Sequence, residues 1–178
     1  MSRTPLLCAL GVTATLSACA PSLGPPAPNA PPPRPIGAAN FSASDFAWSQ
    51  RPGTNIIAGK VALRRGDLRY SCAGASVVLT PETAWSSRRM AALYGSTTRA
   101  ALPADEVRSR TPNAPPGDAG PYVKRTTCDE ADQFAFGGLA DGAWYAITIV
   151  RPVGVQGGTM ALMKRVVVGN GRTVALTL

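Results

Sequence analysis

The sequence predicts an all-β fold, a seven-stranded antiparallel β-sandwich of Greek-key type with one short helix and one long loop. Three observations carry that prediction. Short runs of alternating apolar and polar residues recur from about residue 54 to the end of the chain. Turn-forming Gly, Asn, Asp and Pro separate them. Helical character is confined to one short stretch, so the strands must bury their apolar faces against one another, as two packed sheets do. At 178 residues the chain has room for one such domain and a tail.

Each element has its own justification. Over 56–63, Ile57, Gly59, Val61 and Leu63 share one face, and Ala58, Lys60 and Ala62 the other. Arg64-Arg65-Gly66-Asp67 reads as a turn. A second strand over 72–80 aligns Ala75, Val77 and Leu79, and Pro81 ends it. The helix is predicted over 82–94, starting from Thr80 or Pro81 and stopped by Gly95. The stretch 96–121 holds Pro103, Pro112, Pro115 and Pro116 and reads as a long loop. Strands return at 123–127, 133–136, 144–150 and 160–168, with a turn at 129–132 and a tight loop at 137–142. Phe134 and Phe136 fall on one face, as do Tyr145, Ile147 and Ile149. Gly169-Asn170-Gly171 predicts a hairpin turn into the last strand, 173–178, where Val174, Leu176 and Leu178 align.

Upstream of the domain the chain reads as an address and a spacer. Arg3 is followed by an apolar stretch over 6–16. That stretch is too short to cross a hydrocarbon core, which takes about 20 residues as a helix. It leads into Leu16-Ser17-Ala18-Cys19, which resembles the lipobox of bacterial lipoproteins. The resemblance implies cleavage after Ala18 and acylation of Cys19, with Ala20 favouring the outer membrane, facing the periplasm. An ordinary secretory signal cut after Ala18 or Ala20 is the alternative. Residues 20–39 then hold eight prolines and one charge, Arg34. Such a segment favours extended polyproline II and buries no core. Phe41, Phe46 and Trp48 over 40–53 predict a short helix or an extended clasp on the domain edge. The organisation is therefore a signal peptide over 1–18, a lipidated Cys19 and tether over 19–53, and a β-sandwich over 54–178.

Of the four cysteines, Cys8 leaves with the signal and Cys19 takes the lipid. Cys72 and Cys128 remain as an even pair in a compartment that permits disulfides. We read them as a disulfide closing a loop of about 57 residues, with two buried free thiols as the alternative.

The stretch Phe134-Ala-Phe136-Gly-Gly-Leu139-Ala-Asp-Gly142-Ala-Trp144-Tyr145 resembles the carboxypeptidase regulatory-like, prealbumin-like β-sandwich family. Ile57-Ala-Gly59-Lys-Val61 and Ala73-Gly-Ala-Ser-Val77-Val-Leu79 are similar to that family's first two strands. The resemblance covers about 54–178 and implies a sandwich whose matched residues are core, so it transfers no site. The long 96–121 segment and Asp129-Glu-Ala-Asp132-Gln133, where the family places Gly, depart from it. Some relatives join a first-strand Lys to a last-strand Asn. Lys60 is suitably placed, but 173–178 contains neither Asn nor Asp.

Composition narrows the chemistry. The chain has no histidine, which removes the commonest general base and any zinc site that needs imidazole. Gly53 to Lys60 has the wrong spacing for a phosphate loop, with Val61 where Ser or Thr is required. Asp129-Glu130-Ala131-Asp132 reads as a turn with too few oxygens for a dedicated Ca²⁺ site. No catalytic residue, cofactor or metal is assigned. The net charge of +8 comes from scattered Arg and Lys. It is either a solvated surface or a contact for anionic envelope material such as lipid headgroups or phosphorylated glycans, and nucleic acid is a poor partner outside the cytoplasm. The expectation is a lipid-anchored envelope protein whose sandwich is a non-catalytic binding or scaffolding module for a protein or a glycan. The alternative is an envelope enzyme, or an accessory subunit of one, using carboxylates near the 96–121 segment.

Overall fold

A computed structural model describes residues 40–178, which belong to one compact unit. The signal, Cys19 and the Pro-rich stretch lie outside the described residues. In chain order the strands are β1 (Asn55–Lys60), β2 (Arg64–Arg65), β3 (Leu68–Ser71), β4 (Ser76–Pro81), β5 (Arg99–Pro103), β6 (Lys124–Thr127), β7 (Gln133–Leu139), β8 (Gly142–Pro152), β9 (Met160–Val168) and β10 (Thr173–Thr177). Two α-helices, α1 (Ala84–Tyr94) and α2 (Ala104–Arg110), and three short 3₁₀ helices complete the described residues.

The strands form two sheets. The smaller has the order β10-β1-β7, with β1 antiparallel to β7 and parallel to β10. The larger runs β6-β4-β8-β9-β5, and β3, carrying β2, pairs with the last two residues of β8. Between the sheets lies the main core. Ile57, Phe134, Phe136 and Leu176 of the small sheet meet Val77, Leu79, Trp144, Leu162 and Val166 of the large one. The expected sandwich is therefore present, but with ten strands among the described residues rather than seven, and with one parallel pairing.

A second cluster covers the other face of the large sheet. Tyr145, Ala161 and Met163 pack there against Met90, Leu93 and Tyr94 of α1 and Ala104 at the start of α2. A sheet covered on both faces needs apolar residues at successive positions. This is why Ala143 through Ala146 and Met160 through Met163 are buried without alternation. The alternation expected around Tyr145, Ile147 and Ile149 reaches solvent only at its end, where Ile149 is exposed.

Three departures from expectation have physical causes. The 96–121 segment is not one long loop: it holds β5, α2 and two 3₁₀ turns. Arg-Ala-Ala-Leu-Pro is a weak strand former, and the open edge of β9 recruits it as β5. Arg64-Arg65-Gly66-Asp67 is the tip of the small β2–β3 hairpin rather than a plain turn. The Gly-Asn-Gly turn has the left-handed backbone of a tight hairpin, with φ of 61° at Asn170 and 65° at Gly171. Yet β9 and β10 do not pair. β9 is already flanked by β8 and β5, so β10 crosses to the small sheet and lies beside β1.

Helix α1 is closed at both ends. The Thr83 hydroxyl accepts from the Ser86 amide at 3.1 Å, and the Thr83 amide donates to the Ser86 hydroxyl at 2.8 Å, a capping box with Ser in the usual Glu position. Gly95 ends the helix with φ 67°, a left-handed conformation. The 3₁₀ helix Ala43–Gln50 is pinned by aromatic contacts: Phe46, fully buried, stacks on Tyr122 at 4.9 Å and meets Trp85 at 5.9 Å. No helix among the described residues is long and apolar enough to cross a membrane.

Candidate functional site

The outward face of the small sheet carries the best-formed candidate. Strand alternation turns Ile57 and Phe134 inward and leaves Ala58, Lys60, Gln133, Ala135, Ala175 and Thr177 exposed. Pairing register then sorts these into rows. Ala58 lies between Ala175 and Ala135, and Lys60 between Thr177 and Gln133. The result is a groove of about 500 Å³ with a smooth alanine floor and a polar wall to which Thr127 and Asp129 also contribute. The wall offers an ammonium, a carboxylate, an amide and two hydroxyls. Such a set of donors and acceptors over a flat floor suits a ligand rich in hydroxyl groups.

The turn beside the groove is rigid. The Asp129 carboxylate accepts from the Ala131 amide at 3.0 Å and the Gln133 amide at 2.7 Å. Asp132, with φ 61°, turns its carboxylate inward to accept from the Cys72 amide at 2.7 Å and the Ser71 hydroxyl at 2.5 Å, and Arg69 pairs with it at 3.3 Å. Cys72 and Cys128 are joined as a disulfide, with their Cα atoms 5.7 Å apart. Asp132 lies against both sulfurs, but sulfurs bonded to each other are not thiolate ligands, and the three residues form a structural staple. The Asp129 and Asp132 carboxylates are thus engaged by protein donors.

A second polar cluster lies across the molecule, on the helical side of the large sheet. The Glu82 carboxylate accepts side-on from Nε and Nη2 of the Arg165 guanidinium, at 2.7 and 2.6 Å, and from the Tyr145 hydroxyl at 2.9 Å. Ser87 lies 2.8 Å from the Tyr145 hydroxyl. Burial opposes the Glu82 charge. The hydrogen bonds from Arg165 and Tyr145 and the Arg165 charge outweigh it and hold the carboxyl below its ordinary value of 4.5. Burial pushes the Tyr145 hydroxyl up to about 12. A carboxylate held down by a guanidinium is a poor base, and a phenol so high stays protonated, so nothing here activates Ser87 as a nucleophile.

Of the carboxylates of the 96–121 segment, on which the enzyme alternative rests, Asp118 accepts from the Gly120 amide at 2.7 Å, and the other two are in surface ion pairs of α2. Asp105 pairs with Arg108 and Glu106 with Arg110, each at 2.5 Å. Neither lines the sheet-face groove. Trp85 is buried, and its indole donates to the Pro116 carbonyl at 2.8 Å. Trp48 packs edge-on against Trp144 at 5.0 Å. Neither is the exposed platform that a stacking site would need, and every aromatic side chain among the described residues is buried or partly buried.

No family model and no curated protein matches the chain. The resemblance to the carboxypeptidase regulatory-like family therefore rests on the quoted motifs alone. Among solved structures, the chain is similar to a Pseudomonas aeruginosa protein named as a proposed carbohydrate binding protein. The two share 21% identity at a TM-score of 0.56, over 78% of this chain and 97% of that one. At this identity the likeness establishes a shared β-rich fold.

Proposed function

We propose that the chain is a lipid-anchored protein of the bacterial cell envelope whose carboxypeptidase regulatory-like sandwich binds a glycan without cleaving it. The observation that carries the glycan reading is the groove on the small sheet. Its alanine floor lets a sugar ring approach the backbone closely, and Lys60, Gln133, Thr177, Thr127 and Asp129 present donors and acceptors around it. The fold shared with a protein named for carbohydrate binding supports the same reading. With no exposed aromatic platform among the described residues, the reading is of a site that binds through hydrogen bonds. The affinity expected for one such module is modest, because each neutral hydrogen bond contributes only about 1 kcal/mol net.

Titration of the full chain with a panel of envelope-type oligosaccharides tests the binding. Saturable binding without product formation is expected, and Lys60→Ala with Gln133→Ala should weaken it about tenfold or more, since about 1.4 kcal/mol is tenfold. Equal affinity in the double variant would remove the groove from the account. The anchor is tested separately. The full chain expressed in a bacterial host should incorporate a palmitate analogue and fractionate with membrane, and Cys19→Ser should do neither. Unlipidated protein with a native Cys19 would contradict it. We place the anchor in the outer membrane with the sandwich facing the periplasm, a reading carried by Ala20 after the lipobox.

A further inference from the structure

A second cleft, of about 370 Å³, opens beside the first between the edges of the two sheets. Thr177 at the end of β10 lines both. The floor of the second cleft is apolar, made by Leu63, Ala101, Leu162 and Leu178, and three cations stand around it: Arg65, Arg99 and Lys164. Two of them are held in place by backbone carbonyls. The Arg65 guanidinium donates to Ala101 at 3.0 Å, and the Lys164 ammonium donates to Thr177 at 2.9 Å. The third, Arg99, sits directly opposite Lys164 in the β5–β9 pairing.

That arrangement works against stability. Like charges directly opposite across an antiparallel pair repel, and an apolar floor screens them less than water does. Among the described residues no carboxylate forms an ion pair with Arg65, Arg99 or Lys164, although Arg69, Arg108, Arg110 and Arg165 each have one. A cross-strand cation pair and a third cation oriented by a backbone carbonyl, none of the three in an ion pair among the described residues, together form a site suited to an anion. The guanidinium forks match phosphate or carboxylate geometry.

We infer that this cleft receives an anionic substituent, a phosphate or a uronate carboxylate, of the glycan that lies on the small sheet. The inference rests on the glycan reading for its ligand and on Arg65, Arg99 and Lys164 for its chemistry. Charge would then set specificity: the neutral part of the sugar fills the alanine groove, and its anion reaches past Thr177 into the cleft.

The test uses the full chain and two readouts. In the first, inorganic phosphate at constant ionic strength should raise the thermal midpoint of the wild type. Arg99→Gln with Lys164→Gln should be at least as stable as wild type without phosphate, through loss of the repulsion, and should not respond to it. Lys164→Arg should keep the response, and Arg88→Gln, on the exposed side of α1, should leave it unchanged. In the second readout, a sugar phosphate should bind about tenfold or more tightly than its parent sugar, an advantage that is lost in the double variant. A phosphate response without any sugar binding would keep the anion site and overturn the glycan reading. Sugar binding indifferent to charge would keep the groove and overturn this inference. Tight binding of anionic phospholipid vesicles by the double variant and wild type alike, with no sugar-phosphate preference, would also overturn it.

Discussion

At the scale of single residues, the two sides of one strand explain most of what the small sheet does. Gly59 faces the core, and a Cβ built there would fall 2.1 Å from the Phe134 ring. Ala58 and Lys60 on either side face the groove. We predict that Gly59→Ala costs about 1–3 kcal/mol by overpacking. Gly137→Ala, whose added methyl meets nothing within 4 Å, should stay within about 0.5 kcal/mol of wild type. Chemical denaturation of the two variants checks both. Glu82 gives a prediction with a sign in pH. Its folded-state pKa lies below the ordinary 4.5, so its ion pair stabilises the protein fully above that value. The contribution fades as the pH falls through the lowered folded-state pKa. Glu82→Gln should therefore cost about 1–2 kcal/mol at neutral pH, a figure reduced for the partial exposure of Arg165, and the gap to wild type should close in acid. A gap constant from pH 7 to pH 3 would contradict the assignment of the stabilisation to charge.

At the scale of elements, what the sequence shows and what it hides follow from how local each signal is. Strands β1, β4, β7 and β10 are readable because Ile57, Val77, Leu79, Phe134, Phe136 and Leu176 mark their core face at period 2. Helix α1 is readable because Gly95 ends it, although its start sits at Thr83 rather than at Thr80 or Pro81. By contrast β5 has little strand character of its own and is held by β9, about sixty residues away in sequence. Neither the parallel pairing of β10 with β1 nor the failure of Gly169-Asn170-Gly171 to make a hairpin can be seen locally, since both depend on which edges β8 and β5 have already taken. The groove and the cleft are hidden for the same reason: Lys60, Gln133 and Thr177 become neighbours, and Arg99 meets Lys164, only through long-range register. The disulfide is different, because composition and the compartment expected from the sequence single out Cys72 and Cys128 without any register. Replacing both by Ser should cost about 2–4 kcal/mol, read as a lower denaturation midpoint, because the bond closes a loop with a separation of 56 residues. An unchanged midpoint would contradict that estimate.

At the scale of the whole molecule, the layers divide the work. The helical layer covers one face of the large sheet, and the disulfide, Asp132 and Asp129 stiffen the corner that borders the groove. That leaves the outward face of the small sheet as a flat, rigid surface with its polar wall already in place. Rigidity matters because a site of few hydrogen bonds loses less affinity to ordering when its groups are preorganised. If the account holds, a lipid at Cys19 and a Pro-rich spacer would present that surface to polymers near the membrane. The most direct test of its central claim is amide chemical-shift mapping of the isotopically labelled full chain during titration with a phosphorylated oligosaccharide. The account predicts saturable shifts confined to outward-facing positions of β1, β7 and β10, to Thr127 and Asp129, and to Arg65, Arg99 and Lys164, with the sugar's own spectrum showing no cleavage. Shifts centred on Glu82, Ser87 and Tyr145, or a sugar converted to product, would contradict it.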